Sequence, residues 1–63
     1  MEKRLVSKED LIAIGYTKTY AAKLMRQARK RMVELGVEAY RNKRIRLVPA
    51  EIIEDILGFN IPL

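Results

Sequence analysis

A small α+β fold, mostly helical, is what the sequence predicts, and three observations predict it. Two stretches with apolar residues at three- and four-residue steps flank Gly15-Tyr16-Thr17 and read as helix, turn, helix. The period then shortens to two on either side of Asn42-Lys43, which reads as a pair of strands. Pro49, followed by Ile52, Ile53, Ile56 and Leu57 at helical spacing, closes the chain with a third helix.

The first helix starts at Ser7. Its hydroxyl suits an N-cap, Asp10 completes a shortened capping box, and Val6 can pack on Leu11 as a hydrophobic staple. The helix runs through Leu11, Ile12 and Ile14 and stops at Gly15, which tolerates the left-handed conformation that ends helices. Thr17 caps a longer second helix. Ala21, Leu24, Met25, Ala28, Met32 and Leu35 share one face of it, Thr19, Lys23, Arg26 and Lys30 lie opposite, and Gly36 ends it.

Glu38–Arg41 and Arg44–Leu47 then read as a hairpin, with Asn42-Lys43 as the turn. That register puts Tyr40, Ile45 and Leu47 on a core face and Arg41, Arg44 and Arg46 on a basic one. Helix, glycine-containing turn, basic helix, ribbon and closing helix make a winged helix-turn-helix, with residues 1–63 read as one domain. No internal repeat, linker or low-complexity run interrupts it.

Charge is segregated along the chain. Residues 1–17 sum to zero, whereas residues 18–46 carry ten basic residues against Glu34 and Glu38, a net of +8. Residues 47–63 hold only Glu51, Glu54 and Asp55, a net of −3, and the whole chain is +5. Solubility needs no such segregation, so a polyanionic partner is implied, nucleic acid ahead of an acidic membrane surface. The membrane reading leaves the basic ribbon unexplained and lacks Trp or Phe anchors along the second helix.

Composition also narrows the chemistry. The chain has no cysteine and no histidine, which removes disulfides, the usual zinc ligands, thiol nucleophiles and an imidazole base. Glu9-Asp10 and Glu54-Asp55 are adjacent on helices and so diverge by about 100°. Ser7 has no base beside it, and no glycine-rich phosphate loop is present. The expectation is a binding protein and not an enzyme, with no cofactor and no metal. No apolar run has the ~18 residues of a membrane span, and the charged start has no signal-peptide core behind it, so a cytoplasmic location is expected.

The candidate DNA-binding residues follow from the fold. Near the start of the second helix, Thr17, Lys18, Thr19, Ala22, Lys23 and Arg26 are placed to reach base edges in a major groove. Lys and Arg suit guanine N7 and O6, and Thr suits a phosphate or a thymine methyl. Farther along, Arg29, Lys30 and Arg31 point at different angles and some are expected on the backbone. In the ribbon, Arg41, Lys43, Arg44 and Arg46 form a wing for flanking phosphates or an adjacent minor groove.

Three segments carry a family likeness: SKEDLIAIGYTKTYAAKLMRQAR at 7–29, YRNKRIRLVP at 40–49 and AEIIEDILG at 50–58. With them the chain resembles the small winged-helix excisionases, or recombination directionality factors, of phages and integrative conjugative elements. It resembles more closely still a short uncharacterised family encoded near integrases in such elements of Gram-positive bacteria. The resemblance implies a protein that binds double-stranded DNA, often as neighbouring copies on repeated sites, bends it, and helps an integrase excise the element. It also implies that Lys18, Thr19, Lys23 and Arg26 read the major groove while Arg41, Lys43 and Arg44 hold the flanking DNA. Many excisionases carry a further tail that contacts integrase. Here only Phe59–Leu63 follow the last helix, and this tail is expected to pack on the domain's own core. A winged-helix transcriptional repressor or activator is the runner-up reading, and an RNA-binding module is the third.

Overall fold

In the computed structural model, residues 4–42 and 44–62 are described. Strand β1 (Leu5–Val6) leads into helix α1 (Lys8–Ala13), and the long helix α2 (Lys18–Glu34) follows. A 3-10 turn (Glu38–Arg41), strand β2 (Val48–Pro49) and helix α3 (Ala50–Leu57) complete the order. The architecture is α+β and mostly helical, three helices with a two-stranded antiparallel sheet, consistent with a winged helix-turn-helix.

Local chemistry sets the helices. The Asp10 N–H donates to Ser7 Oγ at 3.2 Å and the Ser7 N–H to Asp10 Oδ2 at 2.9 Å, a complete capping box. At the far end of α1, Gly15 takes φ +118°, where a side chain would be strained. The Tyr16 N–H then reaches the Leu11 carbonyl and the Gly15 N–H the Ile12 carbonyl, closing the helix in a Schellman motif. Thr17 caps α2 as the sequence predicts, its Oγ1 accepting from the Tyr20 N–H at 3.1 Å.

The sheet departs from the sequence reading. Glu38–Arg41 and Arg44–Leu47 do not pair; the two strands are Leu5–Val6 and Val48–Pro49, with Leu5 opposite Pro49 and Val6 opposite Val48. Two competing satisfactions of the backbone account for this. Residues 38–41 coil tightly, the Tyr40 N–H bonding the Val37 carbonyl and the Asn42 N–H the Ala39 carbonyl, with an Arg41–Glu38 ion pair along the coil. The segment expected as the second arm is held by side chains instead: Tyr40 Oη donates to the Leu47 carbonyl and Arg29 to the Ile45 carbonyl. Pro49 accordingly precedes α3 in extended conformation instead of sitting inside its first turn.

The core lies where α2 crosses the sheet and the other two helices. Val6, Leu11, Ala21, Leu24, Met25, Ala28, Val48, Ala50, Ile53 and Ile61 are buried in one cluster. The helical stripe predicted on α2 is therefore buried at its first four positions. Met32 is half-buried, and Leu35, beyond the last turn, is 63% exposed. Leu47, expected inside with Tyr40 and Ile45, is 45% exposed because no ribbon turns it inward. The tail divides: Ile61 packs into the core, and Phe59 is 57% exposed.

Candidate nucleic-acid interface

One face of α2 collects the basic side chains. With Ala21, Leu24, Met25 and Ala28 buried, the helix rotation of about 100° per residue sends Thr19, Lys23, Arg26 and Lys30 to the opposite side, and all four are exposed. Thr17 and Lys18, at the start of the helix, are exposed as well. The first turn of α2 carries no acidic residue, so the partial positive charge of the helix start is left uncompensated there. Beneath this turn the Tyr16 and Tyr20 rings pack at 5.4 Å, tilted by 40°, and the Thr17 hydroxyl, which accepts from Tyr20, keeps its own proton to donate.

The predicted wing residues are dispersed. Arg41 lies on the 3-10 turn and folds back on Glu38. Arg44 follows the Asn42 turn, its N–H held by Asn42 Oδ1 at 2.9 Å, and its side chain is exposed. Arg46 is exposed too, but it approaches α2 and lines a cleft with it. Lys43 lies outside the described residues. The three described arginines therefore do not form the single basic face expected of a ribbon, and Arg46 joins the helix instead.

That cleft, of about 240 Å³, is lined by Lys8, Glu9, Ala22, Met25, Arg29 and Arg46. Arg29 is half-buried and donates to the Ile45 carbonyl at 3.4 Å, which ties α2 to the loop preceding β2. Lys8 is the residue that sequence reasoning missed. It stands at the start of α1, and only the crossing of the two helices brings it beside residues 22–29.

Two carboxylates of α3 are paired with arginines. On the α3 side, Arg31 pairs with Asp55 at 2.7 Å and Arg4 with Glu54 at 2.7 Å. The Ile61 N–H bonds the second Glu54 oxygen at 2.8 Å. This backbone hydrogen bond first, and the Arg4 guanidinium second, hold the Glu54 carboxyl below its ordinary value. By contrast, among the described residues Lys18, Lys23, Arg26, Lys30, Arg44 and Arg46 have no carboxylate partner. The two sides of α2 thus differ: one is paired with α3, and the other carries cations that have no carboxylate partner among the described residues.

Among the described residues no group of three or more acidic side chains could hold a metal ion, and no helix is long and apolar enough to cross a membrane. Compared with known protein families, residues 4–61 match one described as a domain of unknown function, DUF3173. No curated protein and no solved structure matches the chain.

Proposed function

We propose that this chain, which belongs to the DUF3173 family, is a sequence-specific double-stranded DNA-binding protein that acts by binding and not by catalysis. Thr17, Lys18, Thr19, Lys23, Arg26 and Lys30 face the major groove in this reading, and Arg44 and Arg46 hold the flanking backbone. Arg41, paired with Glu38 through Nε, joins them through its terminal nitrogens. The observation that carries the reading is the exposed row of Lys23, Arg26 and Lys30, unpaired among the described residues, while Arg31 and Arg4 are paired on the α3 side. A fold that spent its carboxylates evenly would leave no such face.

Within that reading the chain is an excisionase, acting in the cytoplasm on the ends of a mobile element. The support is the resemblance of residues 7–29, 40–49 and 50–58 to winged-helix excisionases. A single domain this small buries on the order of 600–1,000 Å² against DNA, so neighbouring copies on repeated sites supply the affinity. Bending a short site costs on the order of 1–6 kcal/mol, which several protomers offset through phosphate contacts. The test joins a circularly permuted gel shift to an excision assay with the cognate integrase. Cooperative, bent complexes and excision that depends on this chain are expected. Straight DNA, one palindrome bound by a dimer and excision without the chain would establish a transcriptional regulator instead.

A further inference from the structure

We infer that the cleft between α1, α2 and the loop before β2 seats a phosphate of the DNA backbone, which fixes the side on which the duplex lies against α2. The inference rests on the DNA-binding reading above and adds to it a site and two residues, Lys8 and Arg29.

The cleft joins three cationic side chains from three separate elements: Lys8 from α1, Arg29 from α2 and Arg46 from the loop. Its floor is Ala22 and Met25, so a small residue stands where a longer one would fill the space. Arg29 is fixed on one side by its 3.4 Å bond to the Ile45 carbonyl. A guanidinium has five N–H donors, so the remaining ones are held in place for a tetrahedral oxyanion without further loss of side-chain freedom. Glu9 also lines the cleft, and its carboxylate opposes any anion there. The seat is therefore displaced toward Arg29 and Arg46.

The position suits a backbone strand. On a helical projection Ala22 and Arg29 lie on the flank of α2 next to the Thr19–Lys30 row, within about 100° of it. A helix in a major groove has a phosphate strand along each flank. The opposite flank groups Gln27, Lys30, Glu34 and the Arg31–Asp55 pair beside Ile56 of α3, so two carboxylates there oppose an anion, against Glu9 alone in the cleft. Close backbone approach is thus favoured on the cleft side.

The test measures anisotropy of a labelled duplex over a salt series for wild type and Ala22→Leu, Lys8→Gln and Glu9→Gln, each checked by thermal melting. Ala22→Leu changes no charge, yet filling the floor is expected to weaken binding and flatten the slope of log K against log[salt] by about one, as Arg29 and Arg46 lose their shared phosphate. Lys8→Gln flattens it by about one, and Glu9→Gln tightens binding. Should Ala22→Leu fail to fold, the opposite signs of the other two decide the matter. Titration with inorganic phosphate, followed by amide shifts at Ala22 and Arg29, separates a general phosphate seat from one that engages only the duplex backbone. Either outcome supports the cleft when the three variants behave as stated. Wild-type-like duplex binding by all folded variants overturns the cleft but leaves DNA binding intact. A wild type that binds no duplex overturns both.

Discussion

The Tyr40 hydroxyl donates a 3.0 Å hydrogen bond to the Leu47 carbonyl and so ties the 3-10 turn to the residue before β2. With Arg29 holding Ile45 from the other side, the loop that carries Arg44 and Arg46 is anchored by side chains instead of by a ladder. Removing the Tyr40 hydroxyl as Tyr40→Phe is expected to cost about 0.5–1.5 kcal/mol. It should also speed amide exchange from Ile45 to Leu47. Unchanged exchange there would mean that the loop is held by something else.

Leu24 is 1% exposed and central to the core. Leu24→Ala should cost about 2–5 kcal/mol, through lost burial and the cavity left behind. A domain of this size rests on about 3–5 kcal/mol in all. Urea denaturation should therefore find the variant largely unfolded at room temperature, and a midpoint close to wild type would place the core elsewhere.

Glu54 gives the fold a pH dependence with a definite sign. Its carboxyl is held below the ordinary 4.5 by the Ile61 N–H and by Arg4, so the folded state favours the ionised form. The stability this supplies is complete above that ordinary value and is lost as pH falls through the lowered one. Thermal melts of wild type and Glu54→Gln should differ most at neutral pH and converge in acid. A constant difference across the range would remove Glu54 from the account.

The two flanks of α2 should respond differently to alanine. Lys23→Ala or Arg26→Ala is expected to cost about 1–3 kcal/mol of duplex binding and to relax sequence preference where the side chain reads a base. Arg31, paired with Asp55 at 2.7 Å, should be dispensable for DNA, and its loss should cost the fold only about 0–1 kcal/mol. Competition binding against shuffled duplexes checks both. Loss of affinity on Arg31→Ala with Arg26→Ala neutral would turn the docking face around.

The helices were legible because their signals are local. Ser7 with Asp10, and Thr17 at the start of α2, satisfy the first N–H groups of the helices they precede, and Gly15 and Gly58 take the positive φ that stops them. The exposed basic row of α2 followed from the same periodicity. The sheet was not legible, since it joins residues 5–6 to 48–49 in strands too short to show alternation. The alternation at Tyr40, Ile45 and Leu47 pointed to a hairpin, but residues 38–41 coil into a 3-10 turn and side chains of Tyr40 and Arg29 hold the segment from Ile45 to Leu47. Lys8 was hidden for a related reason: its neighbours across the cleft are fixed by helix crossing and not by spacing in the chain.

The central claim is that the uncompensated cations of α2 and the adjoining loop neutralise DNA phosphates. Lys18, Lys23, Arg26, Lys30, Arg44 and Arg46 have no carboxylate partner among the described residues. If five or six of the ten basic residues between 18 and 46 each engage a phosphate, log K should fall with log[salt] at a slope of roughly −4.5 to −5.5. Fluorescence anisotropy of a short labelled duplex, titrated across a salt series beside single-stranded RNA and anionic vesicles, measures this directly. A slope in that range with preference for the duplex is the expected result; a slope near zero, or tighter binding to RNA or vesicles, would contradict the account.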